Sequence, residues 1–297
     1  MDDEDLASIG IATLQEPGRV PPRRELIDAL GQVRERVTLV VPCYNEEHSL
    51  PYLANTLRSV RDALSPNYEI EAIFVDDHSS DRTWQVLDEL FAGHPNVVRI
   101  RHETNLGVAA SILTGLRHAG TEIVCSIDCD CSYDPHDLAN MIPLLRDDVA
   151  LVTASPYHPK GHVHNVPSWR LLLSKSLSRM YRIVLRQPLH TYTSCFRVYR
   201  RSAVIGIHPG RGGFLGIAEL VGMLALSGAV IVEYPATLKV RVLGHSKMKV
   251  LQTIAGHLGL ITSLTWQRVA PRAPVDPVAD RASAVTPAAT PTEMTDG

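Results

Sequence analysis

Along the chain, short continuous apolar runs end in polar clusters and are followed by amphipathic stretches, and the unit repeats. Val37 to Val41 is the first run, and it ends in Pro42-Cys43-Tyr44-Asn45-Glu46-Glu47. After Pro51, Leu53, Leu57, Val60 and Leu64 recur at helical spacing. Ile70 to Val75 closes in Asp76-Asp77-His78-Ser79-Ser80-Asp81 and precedes a helix carrying Trp84, Leu87 and Leu90. Val97 to Ile100 is followed by the loop His102 to Gly107 and a helix through Leu116, and Ile123 to Ile127 runs into Asp128-Cys129-Asp130-Cys131-Ser132. Apolar runs of this length suit strands covered by helices on both faces, so the alternation predicts an α/β fold around a mostly parallel sheet. Ligands of such sheets bind beyond the carboxyl ends of the strands, which places these polar clusters together on one edge.

The pattern continues less regularly. Val149 to Thr153 reads as a strand, Ser155 to Pro167 as a solvated, mobile substrate loop, and Trp169 to Leu185 as a helix. Thr193 to Tyr199 and Val230 to Tyr234 read as strands flanking a mostly apolar helix, Gly213 to Ser227, in which Glu219 is either a surface residue or a buried acid. Residues 1–36 form a polar lead-in with a short helical pattern from Arg24 to Arg36, and residues 37–249 form the α/β domain. Residues 250–269 carry an amphipathic stripe, Val250, Leu251, Ile254, Leu258, Ile261 and Leu264, interrupted too often by Gln252, His257 and Gln267 for a membrane span. Such a stripe packs on a domain or lies at a membrane surface. Residues 270–297, rich in Pro, Ala and Thr, read as a disordered tail.

Composition narrows the function. With 297 residues and 45% hydrophobic positions the chain can bury a substantial core. A net charge of −3 excludes a broad nucleic-acid footprint. The 5 cysteines are irregularly spaced, which fits reduced thiols, and the acidic start Met1-Asp2-Asp3-Glu4-Asp5 carries no secretory pattern, so a cytoplasmic protein is expected.

Asp128 and Asp130 stand where a buried strand delivers charge to the sheet edge. Carboxylates this close call for a cation, and hard oxygen ligands suit Mg²⁺ or Mn²⁺, with substrate phosphates completing the shell. Asp134 before Pro135 reads instead as a helix cap. Zinc is disfavoured, because Cys129 and Cys131 point to opposite sides of an extended chain and no CxxC pair completes four ligands. His158, His162 and His164 belong to the substrate loop. Arg170 and Ser174 are helical neighbours able to hold an anion.

In their order, Val40-Val41-Pro42-Cys43-Tyr44-Asn45-Glu46, Val75-Asp76-Asp77-His78-Ser79, Asn105-Leu106-Gly107, Asp128-Cys129-Asp130, Thr193-Ser194-Cys195-Phe196-Arg197 and Arg241 to Lys247 resemble glycosyltransferase family 2. Within it the chain most resembles dolichol-phosphate mannosyltransferases and their bacterial polyprenyl-phosphate relatives. The resemblance runs from about residue 37 to 250 and implies a GT-A fold, a nucleotide-sugar donor such as GDP-mannose or a UDP-hexose, and Mg²⁺ or Mn²⁺. Carried over by position, Pro42, Tyr44 and Glu46 line the nucleoside pocket, Asp76 and Asp77 hold base or ribose, and Asp128 and Asp130 meet metal and diphosphate, with Ser132 on the metal side. Arg241, Ser246 and Lys247 fall where the diphosphate or an acceptor phosphate is neutralised. A polyprenyl-phosphate acceptor is already an anionic nucleophile, needs no strong base, and implies inversion at the anomeric carbon and peripheral membrane contact.

The acceptor half departs from the family pattern. Relatives commonly carry Gly at the position of His78, Arg at Pro156, Asp at Thr191 and Gly at Cys195. The competing readings are a family 2 transferase with a non-lipid acceptor and a relative that binds nucleotide-sugar without transferring it. A dinucleotide-binding oxidoreductase would need GxGxxG after the first strand, where Pro42-Cys43-Tyr44-Asn45-Glu46 stands. A pyrophosphorylase would need a Gly-rich loop and a basic residue there.

Overall fold

The apolar runs become the strands of one sheet. The structure, a computed structural model, describes residues 26–27, 33–164, 166, 168–239 and 250–269. Strands β1 (Leu26–Ile27), β2 (Val33–Cys43), β3 (Tyr68–Asp76), β4 (Val97–Arg101), β5 (Ile123–Ser126), β6 (Val149–Ser155), β7 (His162–Val163), β8 (Arg197–Arg200), β9 (Val230–Pro235) and β10 (Thr237–Leu238) alternate with helices. The main sheet has the order β4-β3-β2-β5-β8-β6-β9. Every neighbouring pair in it is parallel except those made by β8, which runs antiparallel to β5 and β6. The carboxyl ends of β2, β3, β4, β5, β6 and β9 therefore lie on one edge, as the alternation predicts.

Helices α1 (Leu50–Leu64), α2 (Thr83–Phe91), α3 (Val108–His118), α4 (Leu138–Met141), α5 (Ser168–Leu185), α6 (Arg201–Val204), α7 (Gly213–Leu226) and α8 (Val250–Val269) cover the sheet. Successive strand residues point to opposite faces. Leu39, Val41 and Phe74 join Leu50 and Leu53 of α1 in one cluster, while Val40, Ile73 and Val75 join Ile112 and Leu116 of α3 and Val221 of α7 in the other. Both faces being buried, the strands read as continuous apolar runs. Each fully buried Leu, Val or Phe contributes about 1.5–3 kcal/mol relative to exposure. Gly115 lets α3 approach β2, since a Cβ there would lie 2.3 Å from Cγ1 of Val40.

Three expectations change. The helical pattern at Arg24 to Arg36 is not a helix where it is described: β1 pairs antiparallel with β2 through Leu26 and Arg34, and β2 begins at Val33 rather than Val37. The segment Val33-Arg34-Glu35-Arg36-Val37 pairs with β1 on one side and β3 on the other, and Arg36 is satisfied across the ladder by Glu71 at 2.8 Å, a cross-strand pair that supports it as strand. The strand expected over Thr193 to Tyr199 begins only at Arg197. The histidine-containing loop is partly built into the fold, because β7 pairs in parallel with β10.

Helix α8 packs on the domain with its apolar stripe. Leu260, Ile261 and Leu264 are buried in the cluster that contains Leu220, Val221 and Leu224 of α7. The Tyr181 hydroxyl of α5 and Nδ1 of His257 on α8 are hydrogen-bonded at 2.8 Å. Among the described residues, no helix is long and apolar enough to cross a membrane. The tail from residue 270 lies outside the described residues.

Candidate active site

Strand β5 ends at Ser126, whose hydroxyl donates to the carbonyl of Cys195, and Ile127 N donates to Val40 O at 3.1 Å, so the chain leaves the sheet beside β2. It then turns sharply, with Cys131 at φ 52° and its N–H on Asp128 O at 3.2 Å. Within the turn Oδ1 of Asp130 accepts both Ser132 N at 2.9 Å and the Ser132 hydroxyl at 2.6 Å. Asp128, Asp130 and Ser132 are thus gathered in one loop, Asp130 buried and Asp128 half-buried. Asp134 accepts His136 N at 3.0 Å and caps the turn that leads into α4, apart from this group.

The thiols around the loop are held protonated. Cys129 lies 3.9 Å from the sulfur of Cys43, and that contact together with burial pushes its thiol well above the usual range; burial does the same to Cys195. Burial pushes Cys131 up to about 12. The Asp130 carboxylate and the Ser132 hydroxyl, with Asp128, present oxygen donors in this loop. Among the described residues no group of three or more His, Cys, Asp or Glu side chains could hold a metal ion. Two carboxylates and a hydroxyl fit a hard divalent ion whose remaining positions come from substrate phosphates and water.

The loops after β2 and β3 are laced together on the neighbouring part of the edge. Asp77 N donates to Cys43 O at 2.9 Å, Asn45 N to the Ser79 hydroxyl at 2.9 Å, and Ser80 N to Oδ1 of Asn45 at 2.9 Å. Asn45 sits at φ 56°, where Asn is among the tolerated residues. Glu46 is held by Thr83, whose Oγ1 accepts Glu46 N at 2.8 Å, and by the Ser49 hydroxyl at 2.7 Å. Tyr44 is 47% exposed, a flat ring open to the edge, and Pro42 lies on β2 beside Val75.

The two adjacent aspartates differ in kind. The side chain of Asp76 is fully buried; its Oδ1 accepts Ser79 N at 3.1 Å, and Oδ2 faces Arg101 Nε at 3.0 Å without accepting a hydrogen bond. Asp77 spends both oxygens inside the protein: Oδ1 on His102 Nδ1 at 2.8 Å and Leu106 N at 2.9 Å, Oδ2 on Gly107 N at 2.7 Å. Arg101 and His102 were not singled out in the sequence, because Arg101 is the last residue of the ordinary strand β4 and His102 opens the loop ahead of Asn105-Leu106-Gly107. Position at a strand's carboxyl end was the available signal.

Arg170 and Ser174 share α5, four residues apart, with Ser174 half-buried. The Ser155 and Thr191 hydroxyls are 2.8 Å apart where β6 ends. Arg197 is fully buried and donates to the carbonyls of Tyr192 and Ile217, anchoring the loop ahead of β8. Glu219 is half-buried and accepts Arg211 N at 2.8 Å, so it fastens the turn entering α7. Arg241, Ser246 and Lys247 lie outside the described residues. The segment leading to them is placed by Lys239, whose N–H donates to Ser132 O at 2.9 Å, directly on the carboxylate loop.

At 32% identity over 72% of this chain and 87% of the relative, the chain is similar to undecaprenyl-phosphate mannosyltransferase of Micrococcus luteus. It is 29% identical to polyprenol monophosphomannose synthase of Mycolicibacterium smegmatis, over 72% of this chain and 81% of the relative. A dolichol-phosphate mannosyltransferase of Pyrococcus furiosus matches at 29% identity over 72% of this chain, which spans 59% of that longer protein. Among solved structures, the mannosyltransferase PcManGT of Pyrobaculum calidifontis in complex with GDP-Man and Mn²⁺ superposes with a TM-score of 0.57 at 22% identity, covering 81% of this chain and 66% of that one. Glucosyl-3-phosphoglycerate synthase of Mycobacterium tuberculosis gives a TM-score of 0.56 at 17% identity, covering 78% and 79%. The mostly parallel sheet with helices on both faces is the GT-A fold. The model of "Glycosyl transferase family 2" matches residues 38–207, from β2 past the carboxylate loop to the end of α6, and the chain belongs to that family.

Proposed function

We propose that the protein is an inverting, metal-dependent glycosyltransferase that moves a hexose, mannose or glucose, from a nucleoside-diphosphate sugar to a polyprenyl phosphate. The observation that carries this is the single loop holding Asp128, Asp130 and Ser132 beside the interlaced loops after β2 and β3. Relatives named for prenyl-phosphate mannosyl transfer support the acceptor class.

The nucleoside lies against Pro42, Tyr44 and Glu46, and the unbonded Oδ2 of Asp76 accepts from base or ribose. Asp77 serves the same pocket by shaping its wall through Leu106 and Gly107. Asp128 and Asp130, with Ser132 on that side, would hold Mg²⁺ or Mn²⁺, which supplies charge stabilisation to the departing diphosphate. Arg241, Ser246 and Lys247 follow the attachment of Lys239 to Ser132 and would complete the phosphate site. Arg170 and Ser174 contribute to an anion site on α5. A phosphate oxygen is a competent nucleophile at neutral pH, so no strong base is required, and displacement opposite the leaving group inverts the anomeric centre.

Peripheral membrane contact belongs to the same reading. Trp169, Leu172, Met180 and Ile183 are exposed on one face of α5, flanked by Lys175, Arg179 and Arg182, and Leu258, Trp266 and Val269 are exposed on α8. An apolar face bordered by cations, with tryptophans at its ends, suits the headgroup layer of a cytoplasmic membrane face. The test is transfer from GDP-mannose, UDP-glucose and UDP-galactose to a prenyl phosphate with and without Mn²⁺. Metal-dependent formation of a prenyl-phosphohexose is expected. Nucleotide-sugar binding with no transfer to any prenyl phosphate would reject the acceptor.

A further inference from the structure

An imidazole at the acceptor end of the sheet edge is built in a way the donor site does not use. Glu233 stands on β9 beside Thr153 of β6, with its side chain 6% exposed. Its Oε1 accepts His190 N at 2.6 Å and Thr191 N at 2.9 Å, and its Oε2 accepts from His190 Nδ1 at 2.7 Å. Among the described residues no lysine or arginine pairs with Glu233; its ion-pair partner is His190. The carboxylate fixes the ring, with Nδ1–H on Glu233 and Nε2 on the opposite edge, turned away from it. Nε2 of His190 has no hydrogen-bond partner among the described residues.

The ring of His158 meets that of His190 edge to face, centroids 5.5 Å apart. Nδ1 of His158 accepts Lys160 N at 3.2 Å, which puts the proton of the neutral ring on Nε2. Lys175 of α5 places its ammonium 6.0 Å from the ring of Tyr157, the residue next to His158. The two imidazole rings thus meet where β6 and β9 end, with the carboxylate of Glu233 already taken up by His190. In the order β5-β8-β6-β9, strand spacings of about 4.8 Å put this cluster roughly 10–15 Å from the end of β5, which leaves room for a diphosphate and a hexose between them.

We propose that His190, oriented by Glu233, and His158 form the subsite for the phosphate monoester of the acceptor. The assignment rests on the phosphate-acceptor reading above, and its direct test does not require turnover. In the full-length protein, imidazole ¹⁵N resonances are followed during titration with farnesyl phosphate, inorganic phosphate and farnesol. The Nε2 signals of His190 and His158 are expected to move with farnesyl phosphate and stay still with farnesol. A matching response to inorganic phosphate assigns recognition to the headgroup alone; a much weaker one shows that the prenyl chain adds to it. Either supports the subsite. No response to either phosphate, or an equal response to farnesol, overturns it.

Kinetics provide the second arm. H190Q is expected to raise the acceptor KM about 10-fold or more, the loss of one charge-assisted hydrogen bond, with the donor KM unchanged. H158Q, on the more open loop, keeps the test valid if H190Q melts early. Unchanged acceptor KM in a folded H190Q and in H158Q overturns the proposal. Wild-type protein that responds at His190 to farnesyl phosphate but transfers no sugar to it would reject the acceptor reading and leave the subsite standing.

Discussion

Asp77 and His102 are joined at 2.8 Å between Oδ1 and Nδ1, with both side chains buried, and His102 Nε2 continues to the Thr114 hydroxyl of α3 at 3.0 Å. The pair ties the loop after β3 to the segment after β4, and the remaining Asp77 bonds reach Leu106 N and Gly107 N at the start of α3. Asp77 is therefore an organiser of the pocket rather than a group turned toward a ligand. Asp77→Ala should destabilise the fold by about 3 kcal/mol, because two backbone N–H groups and an imidazole lose a charged acceptor in a buried place. Urea unfolding measures it. A loss of less than about 0.5 kcal/mol, the range of ordinary surface substitutions, would show that the bonds carry little.

The carboxylates of the β5 loop separate by function. Asp128→Ala and Asp130→Ala are expected to remove metal-dependent donor binding and to cut transfer by roughly 10³-fold, the scale seen when a group that stabilises transition-state charge is lost. Asp134→Ala should leave transfer intact and cost about 1 kcal/mol of stability as a lost cap. Calorimetric titration with nucleoside diphosphate and Mn²⁺, alongside thermal melting, resolves the three. Equal loss of binding in all three variants, at unchanged melting temperature, would contradict the division.

Much of this was legible because the chemistry sits where the pattern changes. Strands buried on both faces announce themselves as apolar runs, and whatever polar residues follow them must lie at the sheet edge; that is how Asp76, Asp128 and Asp130 stand out. What a carboxylate bonds to is not legible. Asp76 and Asp77 are adjacent in sequence, yet one leaves an oxygen unbonded and the other is consumed by Leu106, Gly107 and His102, residues about 25 to 30 positions on. The strand over Val33 to Arg36 was misread as helix because its charges also suit a solvated helix face, and only the Arg36 to Glu71 pair across the ladder makes them strand residues. His190 and Glu233, 43 positions apart, carry no motif at all.

The departure at His78 has a backbone reason. His78 has φ 61°, a left-handed conformation that glycine adopts freely and that costs other residues about 1–2 kcal/mol. The glycine that the family resemblance leads one to expect at this position would adopt it without strain. The His78 ring is exposed, and its Nδ1 lies 3.4 Å from His102 O, a long contact that compensates weakly. His78→Gly should raise stability by up to about 1 kcal/mol, the strain released less the backbone entropy glycine adds to the unfolded chain. A lower denaturation midpoint in the variant would mean that the imidazole contributes more than its geometry indicates.

The docking of α8 should depend on pH. His257 is 2% exposed, burial lowers its pKa below the ordinary 6.5, and its Nδ1 is hydrogen-bonded to the hydroxyl of Tyr181, a phenol that burial keeps protonated. The folded protein thus holds the neutral ring, while the unfolded chain protonates near 6.5. With the folded value below the unfolded one, the unfolded state binds more protons between them, so this contribution is complete above pH 6.5 and is lost as pH falls through the folded value. Melting at pH 7.5 and pH 5.5 should therefore show a smaller drop in His257→Phe than in the wild type, since phenylalanine fills the site without titrating. The variant will melt somewhat lower at pH 7.5, having lost a hydrogen bond worth about 1 kcal/mol. Identical pH dependence in both proteins would place the acid sensitivity elsewhere and leave the Tyr181–His257 contact a packing feature only.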